Sequence, residues 1–304
     1  MRPPLAPPEF RTWTMSDGYL LRGRLWPPRG PEPQHAILYI HGIQSHGGWF
    51  QWSASLLAQG GAPVLLPDRR GSGLNQAARG DTPSAGRWLL DLDELAEWAQ
   101  RAYGAGRFDV VGVSWGGKLA AAWALRRPGC VRRLLLIAPG LFPAVDVTLA
   151  TRVAIGLSLL IGPRRTFPLP LDDPALFTDN PAGQRFIAGD PLALRRATAR
   201  FLWHSARLDR RLRAAAPGSL RTETTLVLAG RDRIIRNAPT EAWVRRLTAE
   251  TAHVLHLPDQ AHTLEFAADV SGFARLIGAW GAAPPKTPPG EDLQPALVDP
   301  VQPL

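Results

Sequence analysis

Strand-like and helix-like segments alternate along most of this 304-residue chain, which predicts an α/β fold with a mostly parallel central sheet and helices on both faces. Two further features refine that prediction. Residues 139–222 interrupt the alternation before the last two strands with far more chain than a regular crossover needs, so a helical cap insertion is expected there. The pentapeptide Gly112-Val113-Ser114-Trp115-Gly116 falls between an apolar run and a helical run, so strand, serine and helix arrive in that order.

Residues 10–15 and 19–26 flank the turn Ser16-Asp17-Gly18 and read as a hairpin at one edge of the sheet. Strands are expected at 36–41, 62–67, 108–113, 132–137, 224–229 and 253–257, short apolar runs of the kind a strand covered on both faces requires. Helices are expected near 47–59, 86–102, 116–127, 240–248 and 265–279. In 86–102, Trp88, Leu92, Leu95 and Ala99 recur at three- and four-residue spacing, a stripe that faces a core. The resulting organisation is a first core part at 1–138, the cap at 139–222, a second core part at 223–281, and a Pro-rich tail at 282–304 expected to be disordered.

The insertion opens with a strongly apolar stretch at 141–162, carrying Leu149, Val153, Ile155, Leu157, Leu159, Leu160 and Ile161. Such a segment either packs on the core or lines an acyl-chain pocket. Further on, Asp190 as N-cap and Pro191 at the first helical position predict a helix start. Leu194, Phe201, Leu208 and Leu212 then fall on one side, with Arg196, Arg200, Arg207 and Arg211 on another. That basic face is either solvated or meets an anionic lipid surface or the phosphate of a lysophospholipid.

A serine at the apex of a sharp strand-to-helix turn needs small residues two positions before and after it, so that strand and helix can cross closely and Oγ stands clear. Gly112 and Gly116 supply them. To act as a nucleophile, Ser114 also needs a base, an acid that orients the base, and donors for an oxyanion. In the chain order Ser, acid, His, the acid follows one late strand and the His follows the next. Asp232 comes just after the run 224–230, and His262 sits in the loop after 253–257. Asp209 and Asp259 compete for the acid role and do not follow a strand in that order; His253 and His256 lie inside the strand pattern. The loop His41-Gly42-Ile43-Gln44-Ser45-His46-Gly47-Gly48 follows the strand 36–41, and the oxyanion donors are expected to be the N–H groups of Ile43 and Trp115. His41 is expected to shape that loop, and His46 to begin the next helix.

These motifs resemble a known family. His41-Gly42, Asp68-Arg69-Arg70-Gly71-Ser72-Gly73, the elbow around Ser114, Gly230-Arg231-Asp232 and Ala261-His262 are similar to those of serine hydrolases with the α/β-hydrolase fold. Within that superfamily they resemble the lysophospholipase and monoacylglycerol-lipase-like branch, often grouped with serine aminopeptidases. The branch usually has a small polar or sulfur-containing residue after the serine, whereas this chain has Trp115. The resemblance implies a carboxylic ester hydrolase with Ser114, Asp232 and His262 as triad, a small-molecule or lipid ester as substrate, and no metal or organic cofactor. An acyltransferase or thioesterase, an amidase or aminopeptidase, and a non-catalytic binding protein remain as alternatives on the same scaffold.

Composition narrows the remaining classes. A content of 45% apolar residues can bury one large core, and the lone Cys130 excludes an internal disulfide. The formal charge of +9 comes almost wholly from arginine, Lys118 and Lys286 being the only lysines, and no nucleic-acid-binding motif accompanies it. Gly71 and Gly73 resemble a phosphate loop superficially, but no Lys follows them. The N-terminus lacks the apolar stretch of a signal peptide, and the apolar run at 153–161 falls short of the ~20 residues that cross a bilayer, so a cytoplasmic protein is expected.

Overall fold

In chain order the strands are β1 (Glu9–Thr14), β2 (Leu20–Trp26), β3 (Ala36–Ile40), β4 (Val64–Pro67), β5 (Phe108–Val113), β6 (Val131–Ile137), β7 (Thr166–Pro168), β8 (Arg196–Thr198), β9 (Glu223–Ala229) and β10 (His253–Leu257). The helices are α1 (Gln51–Ala58), α2 (Ala85–Tyr103), α3 (Trp115–Arg126), α4 (Leu149–Ile161), α5 (Pro181–Gly189), α6 (Ala199–Ala214), α7 (Asn237–Leu247) and α8 (Ser271–Ala282). The structure, a computed structural model, describes residues 2–30 and 33–282. The tail expected to be disordered lies outside the described residues from 283 onward.

Eight strands form one sheet in the order β1-β2-β4-β3-β5-β6-β9-β10. The β1–β2 hairpin adds antiparallel to β4 at one edge, and all pairings from β4 to β10 are parallel. This is the expected α/β-hydrolase architecture. Strands β3, β4 and β5 are buried at every position, because helices cover both faces and no residue there can point to water. The stripe expected on α2 is buried at Trp88, Leu92, Leu95 and Ala99. Ser84 caps that helix by accepting from Arg87 N–H, and Gly104 ends it in the left-handed conformation at φ 73°. Among the described residues no helix is long and apolar enough to cross a membrane.

Between β6 and β9 lie α4, the two-stranded β7–β8 ribbon, α5 and α6. The helix expected to start at Asp190 and Pro191 starts instead at Ala199, capped by Thr198, whose Oγ1 accepts from Phe201 N–H at 3.2 Å. Asp190 cannot cap it because its carboxylate is otherwise engaged. Oδ2 accepts from Trp49 Nε1 at 2.6 Å and meets His46 Nε2 at 3.0 Å, while Oδ1 accepts from Leu192 N–H. Residues 196–198 are then free to pair with 166–168. The single basic face also dissolves: Arg196 precedes the helix and bonds Thr166, Arg200 pairs with buried Asp81, and Arg207 and Arg211 stay partly exposed.

Two other helices depart from expectation. Residues 47–59 split into a 3₁₀ turn, Gly47–Phe50, and α1. The helix expected at 265–279 is a 3₁₀ turn, Leu264–Phe266, followed after a break by α8. The break has two causes: Asp269 Oδ1 accepts from Ser271 N–H at 2.7 Å, which starts α8 afresh, and Glu265 is committed to another element. Its Oε1 accepts from Ser53 N–H at 3.0 Å in the first turn of α1, and the carboxyl is buried.

Burial raises the Glu265 pKa to about 7, against the opposing hydrogen bonds from Ser53 and Trp52. A carboxyl whose folded pKa lies above its unfolded value binds its proton more tightly in the folded state. Its contribution to stability is therefore largest below the unfolded value and declines as pH rises through the folded one. We expect the wild type to lose on the order of 2–3 kcal/mol between about pH 4.5 and pH 7.5 relative to Glu265→Gln, measured as the difference between their denaturation curves across that range.

Candidate active site

Strand β5 hands the chain to α3 through one residue, Ser114, at φ 53° and ψ −125°. A residue with a Cβ holds such a backbone only where its surroundings over-determine it. A Cβ on Gly112 would stand 2.7 Å from Ala120 Cβ and Gly117 Cα, and one on Gly116 would strike the carbonyl oxygens of Ile40 and His41. The two glycines thus let α3 lie directly on β5 and β3. Ser114 N–H donates to Ile137 O at 2.9 Å, and its carbonyl accepts from Gly117 N–H and Gly140 N–H at 2.8 Å each. From Phe108 to Ala124 it is the one residue that is not buried.

Asp232 and His262 come from loops after β9 and β10, neighbours at the same end of the sheet. His262 Nδ1 lies 2.7 Å from Asp232 Oδ2, with both side chains buried. Asp232 Oδ1 accepts from Ile234 N–H at 2.8 Å and Ile235 N–H at 2.9 Å, which fixes the carboxylate plane. The ring bond places the proton on Nδ1 and leaves Nε2 a lone-pair acceptor. Nε2 has no hydrogen-bond partner among the described residues, though it is buried. Phe177, from the insertion, packs edge-on against the ring. Of the competing residues, Asp209 takes Lys118 Nζ at 2.6 Å and His256 pairs with Glu241, while His253 and Asp259 are exposed.

The loop after β3 runs beside the serine. A Cβ on Gly42 would come 3.3 Å from Ser114 Cβ and 3.6 Å from its Oγ. His41 is fully buried; its Nδ1 donates to Gly42 O at 2.8 Å, and its Nε2 accepts Arg69 N–H at 2.8 Å. Burial, with Arg69 close by, pushes the His41 pKa well below the usual value, so the ring is neutral as this pairing requires. Neither Ile43 N–H nor Trp115 N–H donates a hydrogen bond among the described residues. Both are therefore free to receive an oxygen.

Several residues around this site carry no motif. The Trp115 indole N–H donates to Ser205 on α6 at 2.9 Å, Lys118 Nζ donates to the same hydroxyl at 2.9 Å, and Trp115 packs against Trp88 and Phe201. His46 does cap the 3₁₀ turn, as expected, but its ring also reaches Asp190 in the insertion. One sequence signal pointed to Lys118: it is a lysine four residues after Ser114 in a chain whose basic residues are nearly all arginine. None pointed to Ser205, and the signal at Asp190 was for a helix start and not for its bonds to His46 and Trp49, which are far away in the chain.

The chain matches the serine aminopeptidase S33 family over residues 31–269. It is 28% identical to YnbC of Escherichia coli (strain K12) over 258 residues, 84% of this chain and 43% of that protein. It is 28% identical to human monoglyceride lipase over 124 residues, 41% of this chain and 41% of that protein. The chain thus spans less than half the length of these relatives. Among solved structures it is similar to a monoacylglycerol lipase of Paleococcus ferrophilus, with TM-score 0.75, 19% identity, and 91% of this chain and 99% of that one covered. It is similar also to a soluble variant of the Saccharomyces cerevisiae monoglyceride lipase, with TM-score 0.78, 17% identity, and 92% and 98% covered. The chain belongs to the serine aminopeptidase S33 family, and its fold is that of the α/β-hydrolases.

Proposed function

We propose that the protein is a serine hydrolase that cleaves a carboxylic ester, with monoacylglycerol- or lysophospholipid-like lipids as its substrate class. The observation that carries this reading is the His262 ring, tethered through Nδ1 to Asp232 and left with an unpartnered Nε2, in a chain whose Ser114 stands on a strained strand-to-helix turn. In the reaction, His262 Nε2 takes the Ser114 proton as Oγ attacks the ester carbonyl. Asp232 holds the tautomer and stabilises the imidazolium, and the N–H groups of Ile43 and Trp115 receive the oxyanion. Collapse of the tetrahedral intermediate expels the alcohol, protonated by His262. Water activated by the same ring then releases the acid.

The lipid part of the proposal rests on α4. Leu149, Val153, Leu157, Leu160 and Ile161 are 77%, 55%, 59%, 84% and 85% exposed, so the expected choice between core packing and pocket lining leaves out what most of these side chains do, which is face outward. Exposed Arg164 and Arg165 follow directly. An apolar helix with a basic border suits transient contact with an anionic lipid surface. Residues 139–222 act in this reading as a cap over the serine. The human and yeast monoglyceride lipases and the Paleococcus ferrophilus monoacylglycerol lipase, to which the chain is similar, agree with the same substrate class.

An aminopeptidase would need a carboxylate free to hold the substrate amine. In the insertion Asp146, Asp179, Asp190 and Asp209 are already bonded to Arg152, Arg233, His46 and Lys118, and Asp172 and Asp173 face solvent. Ester cleavage is therefore preferred.

Two measurements test the reading. A fluorophosphonate probe should label the wild type and not Ser114→Ala, and p-nitrophenyl ester hydrolysis should fall by about 10³-fold or more in Ser114→Ala and in His262→Ala; labelling without turnover of any ester would move an acyltransferase or amide substrate ahead. Separately, Leu160→Glu combined with Ile161→Glu should reduce hydrolysis of monoacylglycerol in anionic vesicles by about tenfold and leave soluble p-nitrophenyl butyrate hydrolysis unchanged. Equal rates on vesicles would remove the lipid-surface role of α4.

A further inference from the structure

Arg69 is buried and unusual in its partners. It lies in the turn after β4, and its guanidinium makes no ion pair among the described residues, since neighbouring Asp68 is taken by Arg24 and by the N–H groups of Gly47 and Leu74. Its Nη2 donates instead to Ile43 O at 2.8 Å and, more weakly, to Gly42 O at 3.4 Å. The planar group stacks 4.7 Å from the Trp115 ring centroid and 5.2 Å from that of Phe201. Nε and Nη1 have no partner and are buried. A buried cation without a carboxylate is costly, and burial lowers its pKa to about 9. It is charged at neutral pH nonetheless.

The carbonyls it holds are those of the oxyanion loop. Gly42 C=O and Ile43 N–H belong to one planar trans peptide and point in opposite directions. With Gly42 O taken by His41 Nδ1 and Arg69 Nη2, the Ile43 N–H is turned away from both, and it donates to nothing. Arg69 also donates its own backbone N–H to His41 Nε2, which sets the tautomer that lets Nδ1 reach that carbonyl. Donors on the carbonyl polarise the opposite N–H and strengthen it. Through its stack on Trp115, the same guanidinium touches the residue that bears the second candidate donor.

We propose that Arg69 is a positioning residue for the oxyanion hole: it clamps the Gly42–Ile43 peptide so that Ile43 N–H faces the reacting carbonyl, and its unneutralised charge favours the oxyanion as it forms. This rests on the serine-hydrolase reading. The clamp acts through the Ile43 N–H, which meets the oxygen as its charge develops, so its effect should appear in the transition state and not in ground-state binding.

The test compares wild type, Arg69→Met and Arg69→Lys, each checked by thermal melting, on a soluble p-nitrophenyl ester and on a boronic acid that forms a tetrahedral adduct with the serine. Arg69→Met should lower kcat by about 10–10²-fold with KM changed by less than about twofold, and weaken boronate binding by a factor similar to the loss in kcat/KM. Arg69→Lys, which keeps the charge without the fork, should recover part of the rate. A wild-type kcat in Arg69→Met, a change confined to KM, or a fall in kcat with boronate affinity intact would overturn the clamp. If Arg69→Met does not fold, Arg69→Lys is judged by the same split between kcat and KM. A wild type that neither turns over nor binds the boronate would overturn the serine-hydrolase reading and the clamp with it, whereas an active wild type matched by its variants overturns the clamp alone.

Discussion

The backbone of Ser114 is the constraint around which the rest of the molecule is arranged. Its positive φ carries a cost of about 1–3 kcal/mol, and it persists because three hydrogen bonds, to Ile137, Gly117 and Gly140, leave the peptide no other course. Those partners belong to β6, to the first turn of α3 and to the segment leaving β6, so the serine's geometry depends on the central sheet. The absence of side chains at Gly112 and Gly116 is the other half of the constraint, since either Cβ would push α3 off the strands beneath it. Parallel order in the sheet then brings the loops after β3, β5, β9 and β10 to one edge of the strands, the usual place for a site in an open α/β sheet.

The insertion is fixed to this edge by polar bonds aimed at loops that carry the proposed chemistry. Asp190 binds His46 in the loop after β3 and Trp49 just past it; Leu194 N–H donates to Gln44 O in the same loop; Thr263 N–H, next to His262, donates to Phe177 O. Arg79 holds the carbonyls of Leu192 and Ala193, and Arg200 holds Asp81. Each bond joins a segment of the insertion to a loop of the core, so the position of the insertion and the shape of those loops are set together. Apolar packing adds to this through Trp49, Phe177, Phe186 and Phe266.

Local and periodic features were legible in the sequence. The six apolar strand runs, the hairpin and the stripe on α2 could be read because each is written in adjacent or evenly spaced residues, and Ser114 because its two glycines flank it. Asp232 and His262 were nameable because each follows a late strand in the order that the α/β-hydrolase resemblance implies, and the structure brings them within hydrogen-bond distance of each other. What escaped depended on partners distant in the chain. Asp190 followed by Pro191 is a sound local signal for a helix start, and it failed because Trp49 and His46, more than a hundred residues earlier, compete for the same carboxylate. Glu265 looked like the first turn of a helix and instead serves the N–H of Ser53. Arg69 sat in a recognisable turn, yet nothing local marks that its side chain folds back onto Ile43.

The junction of Lys118, Ser205 and Asp209 has a mechanical consequence. Lys118 and Trp115 are on the first turns of α3, and both reach the same hydroxyl on α6, with Asp209 supplying the counter-charge. Lifting α6 would strip a buried ammonium of its carboxylate and an indole of its acceptor at once, so that helix behaves as part of the foundation. α4 packs on α6 without a buried ion pair of that kind: among its residues only Ser158 is buried, and the ion pair of Arg152 with Asp146 lies on the surface. The insertion therefore divides into a part tied to the serine's surroundings by buried polar bonds and a helix, α4, that joins it through packing on α6.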